Sequence, residues 1–252
     1  MGKLRHIAFI SKDPKKLSDF YQEYFGLEEV KIFPSGSRMV IDGLFNLAFL
    51  QQNAAKATVV GTHRTDGSEA NQIQGIAHYG FMVDNLNEAV TNLPPSLARG
   101  DSPQVSGGVQ GPEAARPAEV RFIDPWGNNV DISSRGFLGR EEKRLPGVRL
   151  AVVQVSDPDQ ACEFYKSQFD LAVVKREADG SILLSDGIVK LMLTKKKTLD
   201  REGIQFFGIQ VENLPAVRQR LIDGGIKVDP VDGAGDKIRI SDPEGNQVVI
   251  SQ

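Results

Sequence analysis

Apolar and β-forming residues dominate positions 4–11, Leu4 to Ser11, and alternate with smaller or polar ones, which predicts a strand. Asp13-Pro14 follows as a helix start, because Asp13 can accept from free amides and proline fits the first turn. Leu17, Phe20, Tyr21, Tyr24 and Phe25 then share one face of a helix that Gly26 ends. Strands are predicted over 28–33, 38–41 and 44–50, with turns at Pro34-Ser35-Gly36 and Asp42-Gly43. The unit is therefore β-α-β-β-β.

The same text returns at Leu150: a strand, Asp157-Pro158, then Phe164, Tyr165, Phe169 and Leu171, all 144 positions after their first appearance. A looser strand-then-helix pattern begins near Gly75 and again near Gly203. The turn Asp124-Pro125-Trp126-Gly127-Asn128 recurs 118 positions later as Asp242-Pro243-Glu244-Gly245-Asn246. Recurrence in both halves marks that turn as structural, since proline restricts φ and glycine admits a positive one. Arg121 recurs as Arg239 and receives no catalytic role for the same reason. The chain reads as four copies of one unit, an α+β protein with domains at 1–136 and 148–252 and a linker at 137–147. A helix of about ten residues is expected after Asp84-Asn85, stopped by Pro94-Pro95. Residues 52–74 form a long polar connection that carries His63, a candidate for a catalytic role at the rim of a site.

Composition narrows the function. A net charge of −3 offers no basic stripe for nucleic acid or anionic membrane. No apolar run is long enough for a membrane span, residues 1–5 run into the first strand without a signal-peptide core, so no leader is expected, and Cys162 alone cannot form an internal disulfide. The expectation is a cytoplasmic protein.

Chemistry enters where the halves differ. The first half carries His6, Asn46, His78 and Asp131 on four predicted strands, and the second carries Leu150, Lys190, Phe206 and Val249 at the matched positions. Three of the four polar residues are thus apolar in the repeat. Two imidazoles and a carboxylate from three strands make a facial set suited to Fe(II), with Mn, Zn, Co or Ni also accommodated, and leave positions open for substrate and water. The residues two further along each strand, Ala8, Ala48, Gly80 and Ser133, are small, so with Asn46 they are expected to line a substrate pocket.

At these residues the chain resembles the vicinal oxygen chelate superfamily, which includes glyoxalase I, methylmalonyl-CoA epimerase, fosfomycin and bleomycin resistance proteins and extradiol ring-cleaving dioxygenases. The resemblance rests on His6…Asp13-Pro14…Phe20-Tyr21…Phe25-Gly26-Leu27 and on the two Asp-Pro-x-Gly-Asn turns. It implies βαβββ modules paired into two tandem curved eight-stranded barrels, and one divalent metal chelating adjacent oxygens of a small molecule. His6, His78 and Asp131 fall on the metal-ligand positions of that family. Asp131 is a methylene shorter than the usual glutamate, and Asn46 stands where glyoxalase I has a metal-binding glutamate that handles a proton. An amide is no general base, although Asn46 remains a candidate for a weak ligand or a contact to substrate.

The leading expectation is an extradiol-type dioxygenase. Its alternatives are a lyase or isomerase acting through a metal-bound enediolate, and a non-catalytic binding or resistance protein. The acid/base residue, the substrate and the choice between monomer and homodimer are left open by the sequence.

Overall fold

A computed structural model describes residues 1–52, 75–94, 97, 104–106, 119–140, 142–196, 203–231 and 235–252. Strands β1 (Lys3–Ser11), β2 (Glu28–Ile32), β3 (Arg38–Ile41) and β4 (Asn46–Gln51) surround helix α1 (Pro14–Phe25) in chain order. The second unit comprises β5 (Gly75–Met82), α2 (Leu86–Thr91), β6 (Gln104–Ser106), β7 (Glu119–Ile123) and β8 (Asn129–Ser133). The third holds β9 (Gly147–Val155), α3 (Pro158–Phe169), β10 (Ala172–Arg176), β11 (Ile182–Ser185) and β12 (Lys190–Lys195). The fourth holds β13 (Gly203–Gln210), α4 (Leu214–Asp223), β14 (Asp229–Pro230), β15 (Lys237–Ser241) and β16 (Gln247–Ser251).

Each half forms one eight-stranded sheet, in the orders β2-β3-β4-β1-β5-β8-β7-β6 and β10-β11-β12-β9-β13-β16-β15-β14. The orders are identical once the repeat is allowed for, so the four-unit reading holds. The centre of each sheet mixes parallel and antiparallel pairs: β1 runs parallel to β4 and antiparallel to β5.

The helix signals work as their chemistry requires. Asp13 accepts from the Lys16 amide, Pro14 opens α1, and Gly26 closes it at φ 65° with its N–H donating to the Gln22 carbonyl. In α3 the same left-handed position is held by Asp170, at φ 55°. Helix α2 spans six residues rather than ten, because Asn92 closes it by donating to the Glu88 carbonyl before the prolines are reached.

Helices α1 and α3 lie where the two sheets meet. Tyr21 stacks on Phe49 of its own sheet, 5.5 Å away, and packs against Phe207 of the other at 6.1 Å. Phe169 of α3 stacks on Phe81 at 3.9 Å. Buried apolar residues of both halves join in one continuous core.

Reciprocal polar clasps tie the halves together. Asp42 accepts from the Val148 amide at 2.6 Å and from Arg149 at 2.9 Å, and its repeat Asp186 accepts from the Leu4 amide at 2.8 Å and from Arg5 at 2.6 Å. The repeated turns do likewise. Asp124 accepts from Trp126 and Asn128 within its turn and from Tyr165 of the other half at 2.5 Å. Asp242 accepts from Glu244 and Asn246 and from Tyr21 across the boundary at 2.9 Å. Repetition of the turn and of the helix tyrosine therefore has a structural cause: each half supplies the partner of the other. Among the described residues no helix is long and apolar enough to cross a membrane.

Candidate metal centre

Side chains alternate across a strand, so β1, β4, β5 and β8 each present two rows. Ile7, Phe9, Leu47, Phe49, Tyr79, Phe81, Val130 and Ile132 face the shared core. The opposite row contains His6, Asn46, His78 and Asp131 with Ala8, Ala48, Gly80 and Ser133. Pairing brings them together: His6 lies beside Asn46 on one side and Gly80 on the other, and Gly80 lies beside Asp131.

The side chains converge. His6 Nε2 lies 3.3 Å from His78 Nε2, and His78 Nε2 lies 3.2 Å from Asp131 Oδ2. One donor atom from each of the three residues falls within 4.8 Å of the others. Ligands bonded at about 2.1 Å and at right angles stand about 3.0 Å apart, so the two short separations match neighbouring corners of an octahedron. The donor set, two imidazole nitrogens and a carboxylate oxygen, fits a first-row divalent cation.

The tautomers suit that use. His6 Nδ1–H donates to Asn46 Oδ1 at 2.7 Å, which leaves the Nε2 lone pair pointing at the centre. Asn46 is buried and spends its oxygen on His6; its amide nitrogen reaches the Val40 carbonyl at 3.5 Å. It orients a ring, and that role is the one its position displays.

Two residues that sequence reasoning passed over complete the site. Arg121, beside Asp131 in the β7–β8 pair, donates from Nε to Asp131 Oδ1 at 2.5 Å and from Nη2 to Asp131 Oδ2 at 2.7 Å. The same Nη2 lies 3.1 Å from His78 Nε2, which therefore accepts. Phe137 stacks on His6 with ring centroids 4.6 Å apart and planes 8° from parallel. It arrives through a turn in which Ser133 Oγ donates to the Gly136 carbonyl and Gly136 takes φ 69°. A Cβ on Gly80 would stand 2.5 Å from the tip of the Phe137 ring, so glycine makes room for this cover. Ala8 and Ala48 are buried one step along the same row, and Ser133 is committed to the turn. His63 lies outside the described residues.

Burial governs the protonation states. It drives His6 down to about 3, with the neighbouring His78 adding to the effect. His78 is lowered by burial and then by Arg121. Burial acts to raise Asp131, but His78 and Arg121 outweigh it and hold the carboxyl well below its usual range. Both rings are neutral and the carboxylate ionised at neutral pH, the form a metal requires. Glu119, on the same face of β7 as Arg121, is pushed up to about 7 by burial and by the charge of Asp131.

A stability consequence follows for the metal-free chain. Below pH 6.5 the unfolded protein takes up a proton on His6 that the folded protein refuses until about pH 3, so stability falls with pH across that window. The contribution is about 1.4 kcal/mol per pH unit. Urea unfolding of chelator-treated protein at several pH values is expected to show a shallower acid loss for His6→Gln. Equal slopes would contradict the buried neutral ring.

The matched site of the second half shows what has been lost. Leu150, Lys190 and Val249 occupy the registers of His6, Asn46 and Asp131, and Phe206 stands in the place of His78. Arg239, the repeat of Arg121, has no carboxylate across from it and instead lies over the Phe206 ring at 5.5 Å.

Comparison with known proteins bears on the family and the fold. The model of the "Glyoxalase/Bleomycin resistance protein/Dioxygenase superfamily" matches residues 3–132 and again 147–250. Among solved structures, the 2,3-dioxygenase LapB from Pseudomonas sp. KL28 aligns with a TM-score of 0.67 at 12% identity, covering 99% of this chain and 91% of its own. The Mn(II)-bound glyoxalase from Novosphingobium aromaticivorans aligns at 0.69 and 12% identity, covering 100% and 83%. An extradiol ring-cleaving dioxygenase from B. fuscum aligns at 0.70 and 11% identity, covering 99% and 71%. No curated protein sequence matches the chain. At these identities the likeness to solved structures concerns the fold.

Proposed function

Because the chain belongs to the glyoxalase/bleomycin resistance protein/dioxygenase superfamily, we propose that it is a divalent-metal-dependent enzyme acting on a small molecule with adjacent oxygens, of the extradiol ring-cleaving type. One observation carries the reading: His6, His78 and Asp131 bring three donor atoms within 4.8 Å of one another while Asn46, a further ligand candidate, is turned to His6. Three protein ligands leave an octahedral ion three open positions, enough for two substrate oxygens and one more small ligand. A bound divalent ion supplies Lewis acidity there, and as Fe(II) also the redox capacity that dioxygen chemistry needs.

This chain's own residues hold and shield that chemistry. Asn46 fixes the His6 tautomer. Phe137 covers His6 and keeps water from one side of the centre. Arg121 carries positive charge beside the centre, where an anionic substrate oxygen would be drawn. Glu119, with its carboxyl near 7, is suited to take or return a proton at neutral pH. That carboxyl also supports a second reading, a lyase or isomerase in which Glu119 does the proton work Asn46 cannot.

The test begins with reconstitution in Fe(II), Mn(II) and Zn(II), followed by metal analysis and oxygen uptake over a panel of catechols. The expected result is one metal per chain and oxygen consumption matching catechol loss in the iron form. Stoichiometric metal with no oxygen uptake, but with enediol isomerisation of an α-keto or α-hydroxy carbonyl substrate, selects the second reading. Failure to bind any of the three ions overturns both.

A further inference from the structure

The guanidinium of Arg121 engages the lone pairs that a divalent ion would need. Nε and Nη2 reach both Asp131 oxygens at 2.5 and 2.7 Å, and Nη2 also reaches His78 Nε2 at 3.1 Å. The Asp131 and Arg121 side chains are only 2% and 8% exposed, so the pair is screened little by solvent. A cation already stands against two of the three candidate ligands, and the single lone pair of His78 Nε2 is not open to a metal ion while Arg121 Nη2 holds it.

We propose that Arg121 is a built-in competitor for the metal: its guanidinium holds Asp131 and His78 in place, and a divalent ion enters by displacing it. This rests on the metal reading above and adds an exchange of one cation for another.

Three observations favour displacement over a fixed structural pair. First, among the described residues the hydrogen bonds of the Arg121 guanidinium run to the Asp131 and His78 side chains, the candidate ligands themselves. Second, Glu119 lies two residues earlier on the same face of the strand, a carboxyl toward which a displaced guanidinium can turn. Third, the repeat shows the arginine of this strand position in another pose. Arg239, facing Val249 in place of a carboxylate, is exposed and lies over Phe206. The arrangement also keeps the site assembled, since a buried carboxylate without a cation would be costly.

The test is calorimetric titration of chelator-treated full-length protein with Zn(II) and with Mn(II), alongside thermal unfolding. Arg121→Met removes the charge and keeps much of the side-chain length. It is expected to bind metal at least tenfold more tightly than the parent, while its metal-free form melts at lower temperature. Arg121→Lys, with one donor group in place of a planar fork, is expected to fall between the two. It stands in should the methionine variant fail to fold. Parent and variants that bind metal equally, or variants that bind it more weakly, overturn the competition and leave the metal site standing. No binding by the parent but clear binding by Arg121→Met would mean an arginine that shuts the ion out, and overturns both entry by displacement and the metal reading of the parent. Absence of binding in parent and both variants overturns this inference together with the metal reading.

Discussion

His6→Ala is expected to weaken metal binding by more than about a hundredfold and to remove metal-dependent turnover. The size follows from sharing the ~10–16 kcal/mol of a four-ligand protein site among its ligands, about 3 kcal/mol each. Asn46→Ala, which leaves the ligand in place but frees its ring, is expected to cost about 10–100-fold, as loss of a hydrogen-bond partner behind a ligand does. The ordering discriminates: a direct ligand outranks the residue that orients it. Calorimetry on both variants, with circular dichroism to establish folding, measures it. Should Asn46→Ala prove as damaging as His6→Ala, the amide is itself a ligand and the pose seen here, with its oxygen 2.7 Å from His6 Nδ1, is not the functional one.

Asp186→Ala is expected to destabilise the protein by about 3–5 kcal/mol, the range for removing one partner of a buried pair. Arg5 and Asp186 side chains are 3% and 0% exposed, so the guanidinium would lose its carboxylate where water cannot replace it. The same carboxylate accepts from the Leu4, Ile188 and Val189 amides, and those donors are lost with it. Asp42→Ala breaks the mirrored clasp, whose Arg149 is 11% exposed, and should cost less. Asp19→Ala, which opens an exposed pair with Lys15, should change stability by less than about 1 kcal/mol. Urea unfolding of the three variants gives the ranking. A loss at Asp186 no greater than at Asp19 would remove the case that these clasps join the halves.

The repeats made most of the architecture legible. Strand-and-helix periodicity, the Asp-Pro starts and the recurring turn led to four units and to the two sheets observed. Matching the halves position by position also singled out His6, His78 and Asp131, because polar side chains on a sheet face contrast with an apolar repeat. The same logic did not reveal the contacts of Arg121 with Asp131 and His78. An arginine repeated as Arg239 looks structural, yet its meaning depends on the residue across the strand pair, Asp131 in one half and Val249 in the other. Phe137 gave no signal either. It sits in a segment rich in glycine and charge, and reaches His6 only because Gly136 turns the chain back.

What the order of residues determined by itself was local: where strands alternate, where a carboxylate caps a helix, where glycine or proline ends one, and which half retains imidazoles and an acid. These depend on neighbours a few positions apart, and periodicity reports them directly. The tertiary structure alone decided that Asn46 orients His6, that Arg121 shares the lone pairs of Asp131 and His78, and that each half supplies the hydroxyl or guanidinium its counterpart's aspartates accept. Such contacts join residues from 10 to 221 positions apart. Their formation depends on strand register and sheet curvature, which no local pattern encodes.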